Sequence, residues 1–146
     1  MIWYFLLDVI EHVQNPVEFV EVASFYLKRD GYPIINVPAV QTLYSNYDVV
    51  AGHLRRYDKR RLNRDIKDAG MRATVLTYWG MSLVPLLALR KLLLAFSKRE
   101  DVIRTGFSPP GRWADKLLRL MMHTELAVAA RVPYGTSLLA IAQRGS

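Results

Sequence analysis

The stretch MIWYFLLDVIEHV, residues 1–13, holds an apolar run whose nature decides the fold. A secretory signal needs basic residues before an apolar segment of about 7–15 residues and a small-residue cleavage site after it. Neither is present, because no Lys or Arg precedes the run and Asp8 and Glu11 follow it closely. A membrane-spanning helix needs about 20 apolar residues. A short apolar run that ends in polar residues instead predicts a strand buried on both faces of a parallel sheet.

The composition is that of a folded, basic protein. The chain has 146 residues, a length that is enough for one domain with a core. Of these residues, 51% are apolar and 23% are charged. The absence of cysteine excludes disulfides, thiolate zinc sites and cysteine nucleophiles, and agrees with a cytoplasmic protein. The net charge of +7 permits contact with nucleic acid, phosphorylated substrates or acidic lipid without selecting among them.

A helix and a second strand are predicted after the first strand. Asn15 can cap the helix, Pro16 suits its first position, and Glu18 stands where a capping box needs its acid. Gly31 is predicted to end the helix in a left-handed conformation. Residues 32–39 form a second apolar run. The order strand, helix, strand with short connections predicts a parallel pair with a right-handed crossover.

The rest of the chain predicts two more strands around a helical insert. Residues 39–57 lack periodicity and predict a long loop, and loops of this length in compact domains tend to be functional. The later elements are a basic helix from Asp58 to Gly70, a strand over 72–80, helical stretches near 81–97 and 112–131, and a strand over 138–142. The predicted fold class is therefore α/β, in the order β-α-β-α-β-helical insert-β, with the last two strands antiparallel at a sheet edge.

Five segments follow one another in a recognisable order: LLDVIEHV (6–13), LKRDG (27–31), IINVPA (34–39), GHLRRYDKRRLNRDIKDAGM (52–71) and PYGTSLLAIAQR (133–144). Together they resemble the fourth strand, the L-K-P-G-G turn, the fifth strand, the G-H-x-R-R-Y loop with its helix, and the seventh strand of class I S-adenosylmethionine-dependent methyltransferases. The resemblance is to the branch that acts on small molecules and lipids. Arg29 and Asp30 depart from the family's turn.

The resemblance implies the C-terminal half of a Rossmann-like methyltransferase sheet. Residues 1–146 are then expected to be a single partial domain, with an insert or lid over 81–131. The family places three strands, a Gly-rich turn and an acidic residue for the cofactor ribose before the matched segments. The chain has eight glycines and no G-x-G pair, so the main cofactor cradle is absent from it. We therefore expect this chain alone to bind S-adenosylmethionine weakly or not at all, with weak or no activity.

The resemblance also implies a cofactor site at the carboxyl end of the first strand, where open α/β sheets bind their ligands. The backbone near Leu7, Asp8 and Val9 would meet the methionine part of the cofactor, with His12 nearby. The alternative is that Asp8 and His12 only cap and order the turn before the helix.

An acceptor site is implied on the GHLRRY loop, with His53, Arg56 and Tyr57 as its catalytic residues. His53 could accept a proton near neutral pH, and an arginine could clamp an anionic acceptor. The alternative is that an arginine pairs with Asp48 or Asp58 and pins the loop.

Metal and nucleic-acid sites are not favoured by the sequence. The three histidines, His12, His53 and His123, show no metal-ligand spacing, so no metal site is predicted. The helix over 55–67 is rich in Arg and Lys, which phosphate contacts need, but aspartates interrupt it and Tyr57 is its one aromatic residue. A solvated helix face is favoured. The alternative function is a non-catalytic module that docks an anionic partner, nucleic acid or an acidic membrane surface, through this helix.

Two apolar segments indicate further partners besides a small-molecule or lipid-like acceptor. The first strand could pair with a separately encoded N-terminal half or with a second copy, since an unpaired hydrophobic strand favours association. The apolar helix near 81–97, interrupted by Arg90 and Lys91, is expected to pack as a lid over an acceptor pocket. Shallow peripheral contact of that helix with a membrane is the alternative.

Overall fold

The computed structural model describes residues 2–26, 31–94 and 132–144, together with Gly111 and several positions between 113 and 125. The strands are β1 (Ile2–Leu7), β2 (Gly31–Pro38), β3 (Met71–Trp79) and β4 (Ser137–Arg144). The helices are α1 (Pro16–Phe25), α2 (Asn46–Ala51), α3 (Lys59–Asp68) and α4 (Val84–Leu94), with 3-10 turns at Gln41–Leu43 and Met81–Leu83. The described positions between 113 and 125 are also helical, apart from those that the structure leaves out.

The four strands form one mixed sheet in the order β1-β2-β4-β3. β1 and β2 run parallel, with Leu7 opposite Asn36 at their carboxyl ends. β4 is antiparallel to both of its neighbours, β2 and β3. The predicted α/β fold class, its element order and the antiparallel pairing of its last two strands are confirmed. The last strand in sequence lies inside the sheet and β3 lies at the edge.

A single buried core joins the helices to the sheet. One apolar cluster contains Val20 of α1, Leu62 and Ile66 of α3, and Ile35 and Leu138 of the central strands. One face of β4 is fully buried, because alternate residues from Leu138 to Ala142 have no exposed surface. Burying each large aliphatic side chain contributes about 1.5–3 kcal/mol relative to leaving it exposed. Ala69, just beyond the end of α3, is buried on the same side as Leu62 and Ile66.

The prediction that the first strand is buried on both faces is wrong. β1 exposes Trp3, Phe5 and Leu7 along one face, so only its other face packs against the core.

Two further local predictions are wrong. α1 ends at Phe25, and Gly31 begins β2 instead of ending the helix; Lys28 and Arg29 lie outside the described residues. The predicted loop over 39–57 contains a 3-10 turn and α2. α2 is six residues long, too short for an apolar period to show in the sequence. It begins where the Asp48 carboxylate accepts a hydrogen bond from the Ser45 backbone N–H at 2.9 Å, one half of a capping box.

The predicted helical insert over 81–131 is described in part. α4 contacts α2 and both 3-10 turns. Residues 95–110 and much of 112–131 lie outside the described residues, so the lid stays a prediction. Among the described residues, no helix combines the length and the apolar character that crossing a bilayer requires.

Candidate active site

The chain turns sharply at the carboxyl end of β1. Asp8 adopts a left-handed φ of 53°, a conformation that Asp tolerates better than most residues. Its backbone N–H still donates to the Asn36 carbonyl at 2.9 Å, and its carboxylate accepts from the Asn36 amide at 3.0 Å. The Asn36 side-chain oxygen in turn accepts from the Trp79 indole at 2.8 Å. These bonds fix the turn against β2 and β3 and leave Leu7 and Asp8 exposed at the sheet edge.

The turn after Asp8 buries a carboxylate. Glu11 has 0% exposure, and neither of its carboxylate oxygens has a hydrogen-bond partner. Burial raises the pKa of Glu11 above its ordinary value, and the charge of Asp8 adds to the rise. The Glu11 carbonyl accepts from the Leu54 backbone N–H at 2.9 Å, which joins this turn to the loop after β2. Buried charges are usually paired or bind metals, so Glu11 is a notable group at this edge.

Asp48 organises the loop after β2. This fully buried carboxylate accepts from Arg56 Nε at 2.9 Å and Nη2 at 3.2 Å, and from His53 Nδ1 at 2.9 Å. Burial would raise the pKa of Asp48, but the hydrogen bonds from His53 and Arg56 outweigh it and lower the pKa. Arg56 Nη1 donates to the Ala39 carbonyl at 3.1 Å, so this arginine holds the loop to the end of β2. The alternative foreseen from the sequence, an arginine paired with Asp48, describes Arg56.

His12 and His53 meet over the end of the sheet. Their rings lie 4.8 Å apart between centroids, at 74° to one another. His12 Nδ1 lies 3.0 Å from the Gly52 carbonyl, which can only accept, so Nδ1 carries the hydrogen. His53 Nδ1 faces the ionised Asp48 carboxylate and carries its hydrogen for the same reason. In a neutral imidazole this leaves the Nε2 lone pair of each ring available.

The structure brings some of the predicted site residues together and separates others. Asp8, His12 and His53 share the edge beyond β1 and β2, and Val9 is half-buried in the turn between them. Tyr57 is fully buried in the core, where its backbone bridges to that of Ala39. Burial raises its pKa, and the charge of a neighbouring aspartate adds to the rise. Tyr57 therefore supports the fold, and its place in a reaction stays a prediction.

Sequence reasoning missed Glu11 and Asn36 as members of this edge. In the sequence, Glu11 is one of the polar residues that follow the first apolar run, and its burial beside Ile10 depends on the turn that the chain makes there. Asn36 lies inside an apolar run, and a buried amide at the end of a parallel strand needs polar partners. Both signals are visible only once the strand ends are known.

Comparisons with known proteins find likenesses among solved structures. No protein-family profile matches the chain, and no curated protein matches it. Twelve chains of solved structures match, among them a SAM-dependent methyltransferase from Archaeoglobus fulgidus, at 12% sequence identity and a TM-score of 0.49. The match covers 97% of this chain and 58% of that one, so the chain spans less than two thirds of the length of that protein. The fold class given above therefore rests on the order and pairing of the four strands, and not on this likeness.

Proposed function

We propose that this chain is the C-terminal half of an S-adenosylmethionine-dependent methyltransferase that acts on a small-molecule or lipid-like acceptor. The observation that carries the proposal is the polar cluster beyond the carboxyl ends of the parallel strands β1 and β2. Open α/β sheets bind their ligands at this edge. Asp8 and His12 come from the turn after β1, and His53 comes from the loop after β2.

The arrangement of His53 supports a role in proton removal. Methyl transfer to a hydroxyl or amine needs the acceptor held in line and a group that takes its proton. Asp48 fixes His53 through Nδ1, which leaves Nε2 as the basic nitrogen, and the His53 side chain is 15% exposed. An imidazole oriented by a buried carboxylate is a common general base. In this proposal Arg56 positions Asp48 and does not touch the acceptor.

The residues present fit the cofactor in part. S-adenosylmethionine supplies an electrophilic methyl group when bound. The exposed residues Leu7 and Asp8 at the strand end suit its methionine part, as the resemblance implies. The Asp8 N–H is already bonded to Asn36, so carbonyl and side-chain groups must make the contacts there. The sequence contains no G-x-G turn for the remainder of the cofactor. We therefore propose that this chain alone binds it weakly.

A ligand-observed NMR titration of the tag-free chain with S-adenosylmethionine tests this proposal. We expect saturable binding with a dissociation constant near the millimolar range. Asp8→Asn keeps the left-handed backbone but removes the charge, and it should weaken binding severalfold. Asp68→Asn makes the same change at an exposed residue of α3, away from the end of β1. It is the matched control and should leave binding unchanged.

Three outcomes would contradict parts of this account. Absence of saturable binding would contradict the cofactor site. If Asp8→Asn and Asp68→Asn changed the affinity for S-adenosylmethionine equally, the cofactor site would not lie at the end of β1. A micromolar dissociation constant for S-adenosylmethionine, measured by isothermal titration, would contradict the proposal that this chain holds only part of the cofactor site.

A further inference from the structure

We propose that Glu11, His12 and His53 form a binding site for a divalent transition-metal ion such as Zn²⁺ or Co²⁺. One nitrogen or oxygen atom from each of the three side chains lies within 4.8 Å of the others. The histidine spacing in the sequence predicts no metal site, because His53 lies in a different loop from Glu11 and His12. The fold brings that loop against the turn after β1 through the Leu54 to Glu11 backbone hydrogen bond.

The two imidazoles are held as metal-binding histidines usually are. Such histidines donate the hydrogen of the other ring nitrogen to a carbonyl or carboxylate, which fixes the ring and keeps the coordinating nitrogen unprotonated. His12 Nδ1 has the Gly52 carbonyl at 3.0 Å, and His53 Nδ1 has the Asp48 carboxylate at 2.9 Å. Both rings therefore offer Nε2, and that of His12 lies 4.0 Å from the Glu11 carboxylate.

The Glu11 carboxylate supplies an independent observation that points to a cation. It is fully buried, and both oxygens lack a hydrogen-bond partner. A buried carboxylate stays ionised in a protein when it is paired with a cation or coordinates a metal. The guanidinium of Arg56 is already paired with Asp48 through two nitrogens. A bound ion would neutralise Glu11 without any rearrangement of that pair.

The donor set selects the class of ion. Two imidazole nitrogens and one carboxylate oxygen suit Zn²⁺, Co²⁺ and Fe²⁺, whereas Mg²⁺ and Ca²⁺ prefer oxygen ligands. Metal–ligand distances of about 2.0–2.2 Å separate neighbouring ligand atoms by about 3–3.5 Å, so small side-chain rotations would close the observed cluster. Three protein ligands leave a position for water or for an oxygen of a bound molecule.

The ion would change how protons are removed at this edge. A metal-bound hydroxyl is more acidic than a free one, so a bound ion would take over the task assigned above to His53, whose Nε2 would then be a ligand. The site itself does not depend on the methyltransferase proposal, because ion binding is measurable without cofactor or acceptor.

The test uses the full, tag-free chain freed of metal by a chelator. Titration with Co²⁺ should give saturable, one-to-one binding with the visible absorption of a protein-bound cobalt ion. Zn²⁺ should displace the cobalt, and millimolar Mg²⁺ should not. His12→Ala and His53→Ala should each weaken Co²⁺ binding at least about tenfold. His123→Ala, which removes the histidine outside the cluster, is the matched control and should leave affinity within about twofold.

Glu11→Gln separates a metal ligand from a structural residue, even where a histidine variant fails to fold. It removes the buried charge at nearly constant size, so the metal-free variant should have a higher Tm than the parent chain while Co²⁺ binding weakens at least about tenfold. A lower Tm with unchanged Co²⁺ binding would overturn the proposal. Absence of saturable Co²⁺ and Zn²⁺ binding by the parent chain, Mg²⁺ binding as tight as Zn²⁺, or loss of binding in His123→Ala would overturn it as well.

Discussion

At the scale of single residues, Asp48 holds the candidate site together. Its carboxylate accepts hydrogen bonds from the Ser45 backbone, from His53 and from Arg56, so it joins the start of α2 to the loop that follows. Glu11 is the opposite case, a buried carboxylate whose oxygens have no hydrogen-bond partner. The difference explains why the pKa of Asp48 falls below its ordinary value although burial alone would raise it, whereas burial raises that of Glu11.

Asp48→Asn should be strongly destabilising. It removes the negative partner of Arg56, which stays buried, and breaking a buried pair in this way costs about 3–5 kcal/mol. Urea denaturation should therefore show a fall of about 3 kcal/mol in the free energy of unfolding. Asp58→Asn is the control, because Asn caps a helix such as α3 about as well as Asp, and its effect should stay below about 0.5 kcal/mol. Similar losses in the two variants would contradict the role of Asp48.

The same residue predicts part of the acid dependence of stability. The pKa of Asp48 lies below the unfolded-state value of 3.8, so its contribution to stability is complete above that value. It is lost as the pH falls through the lower, folded-state pKa. Urea midpoints measured at falling pH should therefore drop below about pH 4 in the parent chain. Asp48→Asn should lose this part of the slope, and an identical slope in both proteins would contradict the assignment.

At the scale of elements, the pairing of β3 with β4 depends on a close backbone approach. A Cβ added to Gly135, just before β4, would lie 2.2 Å from the Trp79 carbonyl at the end of β3. Backbone cannot yield as a flexible side chain would. Gly70, before β3, has a φ of +73° with nothing within 4 Å of an added Cβ. Substitution of Gly135 therefore tests the cost of a steric clash, whereas substitution of Gly70 tests the cost of backbone strain alone.

Gly135→Ala should cost about 2–3 kcal/mol of unfolding free energy through this clash. Gly70→Ala should cost about 1 kcal/mol, because only the left-handed conformation is strained. Paired urea denaturation curves measure the difference. A larger loss for Gly70→Ala than for Gly135→Ala would contradict the described approach of the two strands.

The basic helix is the element on which the alternative function depends. α3 buries Leu62 and Ile66 and exposes the cations Arg60, Arg64 and Lys67. Arg55 and Arg56, which precede it, bond to Gln14 and to Asp48. The cationic surface is thus narrower than the sequence suggests.

We expect weak binding of RNA and of acidic vesicles by this surface, removed by moderate salt. Filter binding and vesicle sedimentation at two salt concentrations measure it. Tight, salt-steep binding that is lost on triple substitution of Arg60, Arg64 and Lys67 by Ala would favour the docking module. Asn63→Ala, which changes an exposed uncharged residue of α3, is the neutral control.

At the scale of the whole molecule, the sequence predicts elements better than it predicts which of them meet. The apolar runs identify β1 and β2, and Asn15 accepts a hydrogen bond from the backbone as the predicted cap of α1. Asp58, where the basic helix is expected to begin, accepts one at the start of α3. The place of β4 between β2 and β3 is not visible in any local pattern, because it depends on which strands share an edge. The same reason hides the meeting of His12 with His53. Histidine spacing along the chain therefore does not predict the group of Glu11, His12 and His53 that the fold brings together.

The central claim is that the edge beyond β1 and β2 is the functional edge of this molecule. Two-dimensional ¹H–¹⁵N NMR spectra of the full chain, recorded with increasing S-adenosylhomocysteine, test it most directly. We predict shifts concentrated in the amides of residues 7–12 and 52–54, while those of α3 stay in place. An unchanged spectrum at millimolar ligand, or shifts concentrated in α3, would contradict the account.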